Sequence, residues 1–378
     1  MKVNNPFIIT SKYVSKEYFC DREKESAELV GNIQNWRNTV LVSQRRMGKS
    51  GLIGHVFSTP EISKEYETFF IDIYDTTSLD DFVLLLGKEI CERLQSRGEK
   101  LVEKFLMTVS SVVASFSADP ISGMPSIDLK PSATSSAGKS LEQIFKFLES
   151  SSRPCMVAID EFQQIADYRD GKKIIATLRK LVQNCQNTCF IFAGSNRRMM
   201  GQLFNTPSEP FFMSCTPLYL DAIALDKYTD FVSGHFKNNW KKIEKKCIET
   251  VYTLFDGHTW YMQYVFNRIF EVTDAGQTAN LQSIETAISN IFDIFEYVFQ
   301  EMLLRVSEKQ KALLIAVAKE NKVKNITGAQ FISSYNLKTA SAIQGALRPL
   351  IENETITKEV DCYRITNRFF SLWIAKRY

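Results

Sequence analysis

One stretch constrains the chain more than any other: Val40-Leu41-Val42-Ser43-Gln44-Arg45-Arg46-Met47-Gly48-Lys49-Ser50. It reads as a short apolar strand, a basic loop, and Gly-Lys-Ser opening a helix whose apolar face is Leu52, Ile53, Val56 and Phe57. That is the layout of a phosphate-binding loop. Backbone N–H groups at a helix N-terminus point at phosphates, and the helix dipole favours their negative charge. In this reading Lys49 reaches the β- and γ-phosphates, Ser50 places its hydroxyl on Mg²⁺, and Gly48 lets the backbone approach the ligand. One position departs from G-x-x-x-x-G-K-[S/T]: the first Gly is Ser43. Taken alone, the motif also reads as a polar turn between a strand and a helix, so the rest of the chain must decide.

Two acids supply the second half of the argument. Pro154-Cys155-Met156-Val157-Ala158-Ile159 is uniformly apolar, as a strand buried on both faces should be, and it runs into Asp160-Glu161. In a phosphate-loop protein the first acid at such a strand end holds Mg²⁺. The second orients or deprotonates the attacking water. The plain alternative is a surface turn after a core strand.

A further apolar strand, Thr188-Cys189-Phe190-Ile191-Phe192-Ala193, ends in Gly194-Ser195-Asn196. Ser195 or Asn196 would face the γ-phosphate or the water, with a helix N-cap as the equal alternative for that position. Arg197 and Arg198 follow, readable as a charge-stabilising arginine or as solvent-exposed cations. Strands also read at Thr68–Tyr74 and at Thr216–Leu220. Strands alternating with helices imply a parallel sheet wound on both faces, with ligands at the carboxyl ends of the strands. Ser43, Asp160 and Ser195 all fall at such ends.

Around this core the chain reads as follows. Residues 1–18 are an irregular lead-in. Asp21 is a candidate N-cap for a helix carrying Leu29, Ile33 and Trp36. The core spans 19–220, with a Ser-, Ala-, Gly- and Pro-rich insertion at about 109–140 that shows little regular pattern. Gly138-Lys139-Ser140 lies within it, lacks a preceding strand, and is rejected as a second phosphate loop. Residues 221–306 show helical spacing without a strand signal, an all-α segment. Residues 307–378 open on a capping box, Ser307 with Gln310. Three helices then precede two alternating runs around Thr355–Thr357 and Tyr363–Ile365, joined by a turn at Val360-Asp361. That is the pattern of a winged helix.

Charge and composition exclude several classes. With 44% hydrophobic and 24% charged residues the chain is ordinary globular material. Net charge is +3, unevenly spread: from Glu308 onward there are 12 Lys and Arg against 6 Asp and Glu. The third helix of that segment has one basic residue, Arg348, which fits protein contact as well as nucleic acid. Eight Cys without a C-x-x-C pair read as reduced core residues, and three scattered His form no metal site. No apolar run reaches the roughly 18 residues of a membrane span, and the first residues lack an apolar signal core, so a cytoplasmic protein is expected.

With these residues in hand, the chain resembles the prokaryotic archaeal-type ATPases, a branch of the AAA-related STAND NTPases. The matching pieces are Phe19-Cys20-Asp21-Arg22-Glu23, Arg45-Arg46-Met47-Gly48-Lys49-Ser50, Val157-Ala158-Ile159-Asp160-Glu161-Phe162, Ala193-Gly194-Ser195, Pro210-Phe211-Phe212 and Gly257-His258. Tyr363-Arg364-Ile365-Thr366 with Phe370, Leu372 and Trp373 looks like the family's C-terminal wing. The family usually has Gly at the position of Ser43, and often Pro at that of Thr259. The resemblance implies a P-loop NTPase sheet, a helical lid and a winged helix. It implies ATP and Mg²⁺ as cofactors, nucleotide contacts from Arg22, Arg45, Arg46, Met47, Gly48, Lys49, Ser50 and Gly51, metal contacts from Ser50 and Asp160, and catalysis by Glu161 with Ser195 or Asn196. The expected function is an ATP-hydrolysing switch. The rival is a module that docks DNA or a protein and turns ATP over slowly, with weak non-specific DNA binding by the winged helix or self-association as expected contacts.

Overall fold

The computed structural model describes residues 5–9, 16–95, 98–109, 112–118, 125–131, 136–359 and 361–378. The strands of the first part of the chain are β1 (Thr39–Val42), β2 (Glu67–Asp72), β3 (Val112–Ala118), β4 (Pro125–Pro131), β5 (Cys155–Asp160), β6 (Thr188–Gly194) and β7 (Thr216–Tyr219). Its helices are α1 (Glu23–Gln34), α2 (Lys49–Ser58), α3 (Pro60–Ser63), α4 (Leu79–Gln95), α5 (Glu99–Thr108), α6 (Ala137–Glu149), α7 (Gly171–Asn184) and α8 (Arg197–Asn205).

Five of the strands form one parallel sheet in the order β2-β5-β6-β1-β7. Side chains alternate faces along a strand, and the two cores follow that alternation. Val40, Val42, Val157, Ile159, Phe190 and Phe192 pack with helices α4, α6, α7 and α8. Leu41, Met156, Ala158, Cys189, Ile191 and Ala193 pack with α1 and α2. Central strands covered on both sides must be apolar throughout, and β1, β5 and β6 are buried at every position. The edge strand β7 buries only Leu218. The chain leaves β1 on one side to reach β2 at the far edge, and returns on the other side as β7, so the crevice at the carboxyl end of β1 is a topological switch point.

The insertion is more regular than its composition suggests. Strands β3 and β4 pair antiparallel, with Phe116 opposite Ile127 and Ala114 opposite Leu129. The period-2 alternation in Ser126-Ile127-Asp128-Leu129 is real strand signal masked by the Ser, Gly and Pro around it. Residues 110–111, 119–124 and 132–135 of the insertion lie outside the described residues. Gly138-Lys139-Ser140 sits in the first turn of α6, capped by Ser136. Asp21 is not the N-cap of α1. Asp21 and Arg22 are both left-handed (φ 55 and 71), which moves the helix start to Glu23 with Arg22 at the cap position.

The second compact unit comprises residues 1–9 together with 224–378. It contains α9 (Leu225–Asn238), β8 (Lys242–Ile243), α10 (Lys245–Leu254), α11 (Thr259–Val272), β9 (Thr278–Ala279), α12 (Leu281–Leu304), α13 (Glu308–Glu320), α14 (Ala329–Ser334), α15 (Ala340–Glu352), β10 (Ile356–Lys358), β11 (Tyr363–Ile365) and α16 (Arg368–Arg377). The two-residue parallel pair β8–β9 breaks the expectation of an all-α segment; two residues carry no period to read. Helices α13 to α15 and the antiparallel β10–β11 pair form the winged helix, and the Ser307–Gln310 capping box opens it. Val360, in the expected turn, is outside the described residues.

The start of the chain is not merely a lead-in. Phe7 is fully buried among Phe231, Phe236, Phe266 and Phe270. Asn5 and Asn267 exchange side-chain hydrogen bonds with backbone carbonyls around it, Asn5 Nδ2 to Asn267 O and Asn267 Nδ2 to Phe7 O. Among the described residues no helix is long and apolar enough to cross a membrane.

Candidate functional site

The phosphate-loop residues sit where β1 hands over to α2. Gly48 is left-handed (φ 98), and a Cβ there would meet nothing within 4 Å. Handedness rather than space is what asks for glycine. Arg46 is left-handed too (φ 62). Ser43 is fully buried; its N–H donates to Gly194 O (3.3 Å) and its hydroxyl to Gln44 O (2.9 Å). The serine in place of the family's glycine is therefore absorbed by turning its hydroxyl onto the loop backbone. Met47 is buried, and Arg45 lies over the Tyr74 ring at 4.7 Å. Gly51 faces Phe19, which stacks on His55 (4.2 Å, 6° between planes) and ties the segment before α1 to α2.

Asp160 and Glu161 close the site from β5, although β6 lies between that strand and β1. Ser50 Oγ donates to Asp160 Oδ2 (2.6 Å), and the Glu161 N–H donates to Asp160 Oδ1 (2.9 Å). Asp160 is 3% exposed. Burial raises its carboxyl above the usual range, against the opposing pull of Lys49 and Ser50. Lys49 is itself 5% exposed, and its ammonium stands 3.8 Å from Glu161 Oε1, a Coulomb contact rather than a hydrogen bond.

Glu161 has a left-handed backbone (φ 56) that swings its side chain back toward β6. Its Oε2 accepts from Ser195 Oγ (2.5 Å) and from Gln163 Nε2 (2.5 Å). Burial pushes this carboxyl up, but the Ser195 bond, the Lys49 charge, the Gln163 bond and the Arg45 charge together hold it below its ordinary value. Gln163 was not visible as a site residue in the sequence. Its signal is its spacing, two residues after the second acid at a strand end. Gly194 makes room for it: a Cβ there would stand 2.4 Å from Met200 Sδ and 2.5 Å from Gln163 Oε1.

Lys49, Ser50, Asp160, Glu161 and Ser195 thus converge. Asn196 does not join them; its Oδ1 accepts from the Met199 N–H (3.1 Å), so the N-cap alternative is the one realised. Arg22 is buried and donates to Glu25 Oε1 (2.6 Å) and to Asp221 O (2.7 Å). Arg197 pairs with Asp221 at 3.2 Å and Arg198 is exposed, the bland reading of both.

The donor set fits Mg²⁺. Ser50 Oγ and Asp160 Oδ2 are hard oxygens at hydrogen-bond distance from each other. No group of three or more acidic, Cys or His side chains gathers among the described residues. A metal held by one or two protein oxygens, with the rest of its shell from water and phosphate, is the habit of Mg²⁺ and not of Zn²⁺ or Ca²⁺.

Comparison with known proteins agrees. A family model for an ATPase domain predominantly from Archaea matches residues 19–265, and one for a probable winged helix domain matches residues 297–376. Among solved structures the chain is similar to a Walker-type ATPase of Pyrococcus abyssi, with 16% identity, 98% of this chain and 99% of that one covered, and a TM-score of 0.65. It is similar to the ORC2 protein of Aeropyrum pernix in its ADP form (12% identity, 98% of each chain, TM-score 0.55). It is also similar to the ORC1 protein of Aeropyrum pernix in complex with DNA (10% identity, 94% and 92% covered, TM-score 0.52). At such identities these likenesses speak for the fold. No match is found among curated proteins. A family match over 19–265, carried by a parallel sheet with a phosphate loop at its switch point, makes this chain a member of the family of ATPase domains found predominantly in Archaea.

Proposed function

We propose that the protein is an ATP-hydrolysing switch of the AAA/STAND type, in which nucleotide state is coupled to the C-terminal winged helix. The observation that carries this reading is the meeting of Lys49, Ser50, Asp160 and Glu161 at the carboxyl ends of β1 and β5. Backbone N–H groups from Gly48 to Gly51 would cradle the phosphates at the positive end of α2. Lys49, already buried, would exchange its Coulomb contact with Glu161 for phosphate oxygens. Ser50 and Asp160 would hold Mg²⁺, whose chemistry is to neutralise charge developing on the phosphate oxygens. Glu161, ionised, is the group for orienting and deprotonating water, and Ser195 holds its carboxylate in place.

The test is Lys49→Ala. The side chain faces a ligand site and not either apolar core, so ATP affinity measured by calorimetry should be lost while the thermal melt is kept. Unchanged affinity would remove the basis of the reading.

A second reading, weak duplex binding by the winged helix, draws on the basic balance after Glu308 and on the winged-helix match. Against base readout stands α15, where Arg348 Nε donates to Glu352 on its own helix (2.8 Å). Phosphate contacts by Lys338, Arg348 and Lys358 would make binding fall with salt and be similar on unrelated sequences. Replacing all three with Ala should weaken duplex binding equally on two unrelated sequences; a sequence-selective loss, or none, would sink it.

A further inference from the structure

Among the described residues, two helices end with a tryptophan in the left-handed position. After α1, Trp36 (φ 55) donates its N–H to Ile33 O (3.0 Å), and Arg37 donates to Asn32 O (2.9 Å). After α9, Trp240 (φ 59) donates to Lys237 O (3.1 Å), and Lys241 donates to Phe236 O (3.0 Å). Both are Schellman ends, in which the left-handed position belongs by preference to glycine. A bulky aromatic residue there is an outlier with a steric cost that glycine escapes.

At Trp36 the indole, 48% exposed, regains part of that cost. At Trp240 it does not. This indole is 83% exposed, the most exposed large apolar side chain among the described residues. Its backbone is also held from the other side, because the Gly276 N–H donates to Trp240 O (2.6 Å) and β8 begins two residues later. The turn therefore holds the backbone so that most of the indole stands in water, where the fold gains little from it.

The chain on either side of Trp240 is basic, although the facing turn contributes Asp274, whose charge acts on Lys241. Lys237, Lys242, Lys245 and Lys246 are exposed within the same ten-residue stretch, with Glu244 as its acid. Lys245 pairs with Glu249 (3.8 Å), and Lys241 folds back over Phe270, donating to Phe270 O (2.6 Å). Lys237, Lys242 and Lys246 remain exposed within six residues of Trp240 along the chain.

We propose that the α9–α10 turn is a docking surface for single-stranded nucleic acid, with the Trp240 indole stacked on an unpaired base and Lys237, Lys242 and Lys246 set against phosphates. Stacking on a rigid aromatic beside a cationic track is how such strands are held without sequence preference. A duplex offers its base faces only at its ends, so the indole has no use for one. A membrane surface is a poor fit, because the stretch carries one exposed apolar ring where interfacial anchoring needs a continuous apolar face. The inference does not rest on ATP binding, and its residues are not the winged helix residues Lys338, Arg348 and Lys358.

The test uses the full chain, fluorescently labelled oligo-dT and anisotropy at low salt. Trp240→Gly and Trp240→Asn both suit the left-handed turn, so each should leave Tm level or higher while weakening binding about tenfold. Trp240→Phe keeps a ring and should hold affinity within about threefold. The logarithm of affinity should fall with the logarithm of salt at a slope of about −2, three phosphates at about 0.7 each. The proposal is overturned if the parent chain does not bind oligo-dT, or if blunt duplex of the same length competes as well as the single strand. It is equally overturned if anionic vesicles are captured in place of the oligonucleotide. The same holds if the Gly and Asn variants bind like the parent, or if their Tm falls.

Discussion

The protein contains two clusters of buried charge that are built on opposite principles. In one, Lys49 stands 3.8 Å from Glu161, and Asp160 is bonded to a hydroxyl and a backbone N–H rather than to a cation. In the other, Asp256 of the second unit accepts from Arg364 (2.9 Å), Arg368 (3.2 Å) and Lys322 (2.7 Å), and Glu359 lies within 3.6 Å of both arginines. Arg364 is 2% exposed. The second cluster joins the turn after α10 to β11 and α16, and it is closed. Asp256 meets its three cations at hydrogen-bond distance, and Glu359 adds a Coulomb contact to both arginines, which offsets part of their desolvation.

The electrostatics separate the two. At Asp256 burial raises the carboxyl, and the bonds from Lys322 and Arg364 outweigh that and hold it below its usual range. At Asp160 burial wins. A cluster left short of cations has room to recruit one from outside. A cluster already supplied with three cations for its two acids has no need of another, and its work is to hold elements together.

The comparison breaks most visibly at Glu161. Glu161→Gln keeps size and hydrogen bonding but removes the proposed base. ATP binding by calorimetry should persist while steady-state hydrolysis falls by about 10²-fold or more. A variant hydrolysing at the parent rate would mean that Glu161 is not the base, and the open cluster would lose its chemical meaning. The closed cluster should answer in the other currency. Asp256→Ala leaves Arg364 and Arg368 short of their shared partner and should cost about 2 kcal/mol, below the figure for a fully buried pair because Asp256 is partly exposed. A chemical melt reads this directly, and no loss of stability would contradict the clasp.

Acid sharpens the same contrast. Because the folded value of Asp256 lies below its unfolded value of 3.8, its contribution is fully present above about pH 4 and is lost as pH falls through the folded value. Tm followed downward from pH 5 should therefore drop more in the parent than in Asp256→Asn, which has no such proton to take up. Parallel curves would show that the clasp contributes nothing.

How legible these clusters were differs for physical reasons. The open one could be read because its parts lie at strand ends beside local signals: an apolar run into Asp160-Glu161, and Gly-Lys-Ser opening a helix. The closed one could not. Asp256, Glu359, Arg364 and Arg368 come from separate elements, each looks like a surface charge, and only tertiary packing makes them neighbours. Phe7 was missed on the same ground, since nothing local tells a buried aromatic from a stray one in an irregular segment. The parallel sheet, though not its strand order, was within reach of the alternation of strands and helices, whereas the β3–β4 pairing was hidden by the Ser, Gly and Pro around it. The bonds of Arg22 to Glu25 and the Asp221 carbonyl were likewise out of reach, since the second partner lies far along the chain.

The smallest expected effect lies between Ser195 and Asn196, neighbours that the sequence offers as interchangeable. The structure parts them. Ser195 Oγ donates to the Glu161 carboxylate, whereas Asn196 Oδ1 takes the Met199 N–H at the start of α8. Asn196→Ala removes a helix cap, so it should cost about 1 kcal/mol of stability, with hydrolysis within about twofold of the parent on the reading that only groups touching the reacting centre alter the barrier. Ser195→Ala reverses the pattern: the hydroxyl caps no helix, so Tm should barely move while kcat falls, because the carboxylate loses one of the two side chains that aim it. Measuring Tm and kcat on both variants gives a two-by-two result. If Asn196→Ala loses hydrolysis and keeps Tm, the side chain leaves its cap to meet the nucleotide, and the division drawn between these two residues is wrong.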